Sequence, residues 1–129
     1  MLSVFQPGEH GSTFGGNPLG AAVARAALRV LVEERMIENA AVMGEYFQDH
    51  LAEINSPHVK EVRGKGMLIG VELNKSAGGA RRFCEALQER GILCKETHET
   101  VIRFAPPLVI DKATLDWALP HIREVLNFE

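Results

Sequence analysis

The sequence predicts an α+β (α/β) chain: a small, mostly antiparallel sheet with helices on one face, preceded by a long helix. Three observations carry this. Apolar residues recur at helical spacing in residues 19–31, 37–54 and 115–126. Between these stretches lie short apolar runs, residues 67–73 and 101–104, each bounded by turn residues and too short for helices. Pro or Gly marks most of the breaks between segments, as in Asn55-Ser56-Pro57-His58 and Pro106-Pro107.

In chain order, residues 1–16 read as a strand remnant followed by a glycine loop. Asn17 suits a helix N-cap and Pro18 the first helical position, where a missing N–H costs little. The helix is expected to reach about Arg35, with Leu19, Ala22, Val23, Ala26, Ala27, Val30 and Leu31 on one face. Much of that face is alanine, which allows a neighbour to approach closely. A second helix is expected over 37–54, facing the core with Ile37, Ala40, Met43, Gly44, Phe47, Leu51 and Ile54. No Gly or Pro separates the two at Glu34-Arg35-Met36, so they are expected to be nearly continuous.

Strands are then expected at 59–63 and 67–73, with Gly64 and Gly66 forming a turn or bulge between them. After a loop over 74–79, Ala80, Phe83, Cys84 and Leu87 mark one face of a helix stopped by Gly91 at its C′ position. Short strands follow at 92–95 and 101–104. Asp111 can cap the last helix, which points Leu115, Ala118, Leu119, Ile122, Val125 and Leu126 inward; Pro120 is expected to kink or interrupt it. The expected division is residues 1–35, which complete no sheet and read as the end of something larger, and residues 36–129, the α+β domain.

Bulk properties narrow the function. A chain of 129 residues can bury a real core. Its formal net charge of −3 offers no basic field for nucleic acid. No apolar run is long enough to span a bilayer, and the N-terminus has no signal-peptide pattern. Cys84 and Cys94 lack metal or redox-motif spacing; Cys84 is expected as a buried free thiol, which fits a reducing, cytoplasmic setting. The five histidines make no metal pattern, so no metal site is expected. There is no nucleophile elbow and no Walker loop. Glu33, Glu34 and Glu72 read as solvated surface.

Two stretches can carry chemistry. The first is Gly8-Glu9-His10-Gly11-Ser12-Thr13-Phe14-Gly15-Gly16-Asn17-Pro18. Its glycines let a ligand approach the backbone, and Ser12 and Thr13 offer hydroxyl and amide donors at a helix start, which suits a phosphate. On composition alone, it reads rather as a turn that only caps a helix. The second is Val101-Ile102-Arg103-Phe104-Ala105-Pro106-Pro107. Alternation sets Val101, Arg103 and Ala105 on one side and Ile102 and Phe104 on the other. Arg103 is then either a solvated surface residue or a fork for a carboxylate, held still by the two prolines.

The glycine loop resembles that of the class III pyridoxal-phosphate aminotransferases. Ile102-Arg103-Phe104-Ala105-Pro106-Pro107-Leu108, with Lys95-Glu96-Thr97-His98 before it, is most similar to the family's ornithine-acting branch, where Pro is usual at the position of Glu96. The resemblance runs from Pro7 to Phe128. It implies the C-terminal small domain of a fold-type I transferase, with residues 1–35 from the end of the large cofactor domain. It further implies that Thr13, beside Ser12, contacts the cofactor phosphate held by the other subunit of a homodimer, and that Arg103 binds a substrate carboxylate. The implied reaction passes the δ-amino group of ornithine to 2-oxoglutarate. The family's Schiff-base lysine matches none of Lys60, Lys65, Lys75, Lys95 and Lys112, so no catalytic residue is assigned here. The alternatives are a fragment of an acetylornithine or other ω-amino-acid aminotransferase, or a non-catalytic dimerisation module.

Overall fold

The computed structural model describes Val4, Gln6 and residues 8–128. The strand expected over the first residues falls on 1–7, of which only Val4 and Gln6 are described. The chain divides into two units, Met1–Arg35 and Met36–Glu129.

In the first unit, Asn17 caps helix α1 (Pro18–Glu33): its Oδ1 accepts from the Gly20 N–H at 2.7 Å, and Pro18 takes the first turn. No residue of α1 is buried, so the expected stripe faces no core within its own unit. Arg35 ends the unit with φ 52°, in the left-handed region. That break separates α1 from α2 (Met36–Ala52), in place of near-continuity.

The second unit is one four-stranded sheet, β1 (Val59–Lys65), β2 (Leu68–Leu73), β3 (Lys95–Thr97) and β4 (Val101–Phe104), with α3 (Arg81–Glu89) and α4 (Lys112–Leu126). Strand order is β1-β2-β4-β3 and every pairing is antiparallel. Ile69, Val71, Leu73, Ile102 and Phe104 pack with Phe47 and Leu51 of α2, Phe83 and Leu87 of α3, and Leu115, Ile122, Val125 and Leu126 of α4. The helices therefore cover one sheet face.

Glycines set the fit between these layers. Lys65 pairs with Leu68, so Gly66-Met67 is a two-residue hairpin loop, and Gly66 supplies the positive φ of 55° at its first position. Gly44 of α2 lies against this turn so closely that a Cβ there would sit 2.3 Å from the Gly66 carbonyl oxygen. Gly64 is no bulge; it lies against the Leu68 and Ile69 backbone, and the irregularity in β1 falls between Val59 and Glu61.

Three further expectations change. The strand expected at 92–95 begins only at Lys95. Gly91 closes α3 with φ 81°, Gly91 N–H bonding Gln88 O and Ile92 N–H bonding Leu87 O, so residue 92 belongs to the helix cap. Pro120 does not interrupt α4; it sits on the exposed side, where the Asp116 carbonyl it leaves without an N–H can face water. Ile37, expected inward, is 64% exposed.

Candidate functional site

The sheet face turned away from the helices carries charge. Register places Gly70, Arg103 and Lys95 in one row across β2, β4 and β3, with Arg63 of β1 opposite Gly70. Alternation thus sets Arg103 away from buried Ile102 and Phe104, as its sequence pattern suggests, and its side chain is exposed. Val101, on the same side, is nevertheless buried; its Cγ1 occupies space left by Gly70, where an added Cβ would meet it at 3.3 Å.

Two other cations on this face, Lys60 and Arg63, are neutralised. Lys60 and Arg63 converge on Glu72, at 2.5 and 2.6 Å, and Arg63 also reaches Glu61 at 3.3 Å. Hydrogen bonds from Lys60 and then Arg63 hold the Glu72 carboxyl below its ordinary range. Glu72 is therefore the hub of an ion-pair cluster rather than plain solvated surface; only 21% of its side chain is exposed. Arg103 makes no ion pair among the described residues. It opens on a depression of about 220 Å³ shared with Leu93, Cys94, Lys95 and Ala105. A guanidinium fork that is exposed, unpaired and based in a sheet can grip a carboxylate through two parallel hydrogen bonds.

The strand exit is tied down by a residue that sequence reasoning passed over. The Asn39 amide of α2 donates to the carbonyls of Leu108 and Ile110, at 2.7 and 3.0 Å. With Pro106 and Pro107, this clamps the segment that follows Arg103. The signal was weak, because an Asn on a helix flank reads as surface. The turn before β4 is also unusual: His98 and Glu99 both have positive φ, 49° and 63°. Long-range bonds hold it, with Ala80 N–H donating to Glu99 O and Leu73 N–H to Thr100 O, both at 2.8 Å.

The glycine loop belongs to the first unit. Ser12 Oγ accepts from the Gly15 N–H at 2.8 Å, so this hydroxyl helps shape the loop while keeping its proton free to donate. The Thr13 hydroxyl is exposed and has no partner among the described residues. A Cβ added at Gly11 or Gly16 would meet nothing within 4 Å, so the loop presents open, donor-rich backbone. Ser12 and Thr13 are thus neighbours in one unit and Arg103 stands in the other.

Cys84 is buried and free, as expected, but Cys94 is its neighbour. Hydrogen bonding with Cys84, and then burial, push the Cys94 thiol up. Their ten-residue separation gave no sign of this. Among the described residues no group of three His, Cys, Asp or Glu side chains could hold a metal ion, and no helix is long and apolar enough to cross a membrane.

Comparison with known proteins agrees with the sequence resemblance. The aminotransferase class-III family matches residues 1–126. An ornithine aminotransferase of Brevibacillus brevis is 59% identical over 127 residues, covering 98% of this chain and 31% of the relative. That of Bacillus subtilis is 57% identical over the same length and shares. Among solved structures, an ornithine aminotransferase from Plasmodium yoelii superposes with a TM-score of 0.87 at 38% identity, covering 97% of this chain and 34% of that one. An acetylornithine aminotransferase from Elizabethkingia anophelis gives 0.83 at 40% identity, covering 97% and 32%. The chain spans about a third of the length of the relatives it matches.

Proposed function

Since the chain belongs to the class-III aminotransferase family, we propose that it is the C-terminal part of an ornithine aminotransferase, which transfers the δ-amino group of ornithine to 2-oxoglutarate and yields glutamate semialdehyde and glutamate. The observation that carries the reading is Arg103: an exposed guanidinium without an ion pair among the described residues, fixed in β4, on a face whose other arginine is already neutralised. Its part is to bind a substrate carboxylate and hold the substrate in one orientation.

The family implies pyridoxal 5′-phosphate, and the loop fits its phosphate end. The Thr13 hydroxyl has no partner among the described residues, Ser12 retains a proton to donate, and the glycines leave the backbone open to an anion. When bound, that cofactor supplies an electron sink for bond changes at the amino-bearing carbon. None of the five lysines stands where the family places its cofactor lysine, so these residues supply phosphate and carboxylate contacts rather than the covalent one. A homodimer, in which Ser12 and Thr13 hold the phosphate of the other subunit, and a cytoplasmic location complete the reading.

The neighbouring acetylornithine enzyme gives a specific rival substrate. The test is turnover by the complete enzyme containing this chain, with ornithine, N-acetylornithine and 4-aminobutyrate as donors and 2-oxoglutarate as acceptor. Ornithine is expected to give the highest kcat/KM. A preference for N-acetylornithine would replace this reading with its rival, and no turnover of any donor would leave a non-catalytic module.

A further inference from the structure

Arg103 is the last residue of β4 with a strand partner on each side, Gly70 of β2 and Lys95 of β3. Phe104 pairs only with Ile69 of β2, and the chain then leaves the sheet. The arginine thus stands where sheet pairing gives out, and α2 takes over the hold on the chain. Phe47 of α2 sets its ring edge-on against Phe104, with centroids 5.7 Å apart. Asn39, in the first turn of the same helix, donates from its amide nitrogen to the carbonyls of Leu108 and Ile110. Two carbonyl partners require that this end of the side chain be the nitrogen. The Ile110 N–H closes back on Pro107 O at 3.0 Å. Residues 107–110 therefore form a closed turn, fastened to α2 as one piece.

Only Ala105 and Pro106 connect that turn to β4. Each precedes a proline, which restricts its backbone, and Pro106 and Pro107 have their own φ fixed by the ring. The link is stiff, so a shift of the turn passes back to the strand end. Ala105 also borders the depression on which Arg103 opens, so the same shift moves a wall of the site. A binding fork must be held within about 0.5 Å of its working geometry. We propose that Asn39 is a positioning residue for the carboxylate site. From α2 it pins the exit of β4, and through that exit it fixes the Arg103 guanidinium and the Ala105 wall. Its base is firm, because Gly44, Phe47 and Leu51 of the same helix are buried. Asn39 itself touches no substrate and acts through Arg103. The inference rests on the reading of Arg103 as a carboxylate contact.

The experiment is a double-mutant cycle in the complete enzyme, read by single-turnover spectroscopy of the 2-oxoglutarate half-reaction. Loosening the fork weakens its grip on the carboxylate in ground state and transition state alike, which raises Kd and spares the limiting rate. Asn39→Ala is expected to raise the apparent Kd for 2-oxoglutarate about three- to tenfold, within the coupling of residues in one network, with a limiting rate within about twofold of wild type. In an Arg103→Gln background the same change should lower the second-order rate by less than about twofold, since no fork remains to be positioned. A merely structural role would lower that rate equally in both backgrounds, and this result overturns the proposal while leaving the Arg103 reading intact. An unchanged Kd, or a fall confined to the limiting rate, overturns it too. If Arg103→Gln alone leaves the half-reaction as in wild type, the Arg103 reading falls and the proposal with it. Should Asn39→Ala fail to fold, Asn39→Leu, close in shape, without N–H donors and favourable in a helix, goes through the same cycle under the same criteria.

Discussion

Replacing Gly44 by alanine tests how the layers of the second unit are joined. The added Cβ would lie 2.3, 2.4 and 2.6 Å from the oxygen, carbon and Cα of Gly66. All three are backbone atoms, in a hairpin loop whose positive φ leaves little freedom. To reach even the 3.0 Å limit of real Cβ contacts, α2 and the hairpin must part along their contact, which loosens Phe47 and Leu51 on the same helix face. Overpacking of this kind costs about 1–3 kcal/mol, and a clash against rigid backbone belongs at the upper end. Alanine returns about 1 kcal/mol through helix propensity. The net loss is about 2 kcal/mol, or a Tm lower by about 8–16 °C for a domain of this size. Thermal and urea unfolding followed by circular dichroism would read it, with Gly70→Ala as a control, since its Cβ meets only the end of the Val101 side chain at 3.3 Å and the Arg63 carbonyl at 3.9 Å. A Tm equal to or above wild type would refute the close-approach argument, because propensity alone predicts a rise.

Two further outcomes follow from the same contacts. The folded-state value of Glu72 is lowered, so its stabilisation is complete above the ordinary value of 4.5 and is lost as pH falls through the lowered one; Glu72→Gln should flatten that part of the acid side of the stability–pH curve, as read by urea midpoints between pH 2 and 7. In the complete enzyme, Thr13→Val should weaken retention of pyridoxal phosphate by about ten- to hundredfold, the worth of one hydrogen bond to a charged group, with an unchanged melt of the cofactor-free protein; equal retention by equilibrium dialysis would make Thr13 a turn residue only.

What was legible in the sequence was local. Asn17, Asp111 and Gly91 cap helices through bonds to residues at most five positions away, and alternation alone set Arg103 opposite Ile102 and Phe104. What escaped was long-range. The Gly44–Gly66 approach, the meeting of Cys84 and Cys94, and the convergence of Lys60 and Arg63 on Glu72 all depend on how strands and helices are brought together. The His98-Glu99 turn carries no glycine or asparagine to announce its positive φ; it is imposed by bonds from Leu73 and Ala80. The start of β3 was misplaced because the apolar run at 92–94 resembles a strand, whereas the α3 cap claims Ile92. The proposed roles of Ser12, Thr13 and Arg103 come from resemblance; geometry adds that Ser12 also shapes its loop and that Arg103 makes no ion pair among the described residues.

The central claim is that Arg103 binds a substrate carboxylate, and Arg103→Lys in the complete enzyme tests it most directly. Single-turnover spectroscopy of the two half-reactions, one with ornithine and one with 2-oxoglutarate, is paired with a thermal melt. The variant should lose about 2–5 kcal/mol of transition-state stabilisation, about thirtyfold or more in rate, mainly in the 2-oxoglutarate half-reaction. Its melt should match wild type, since Arg103 is exposed and makes no ion pair among the described residues. Equal half-reaction rates would return Arg103 to the solvated surface, and a collapsed melting temperature would make it a structural residue.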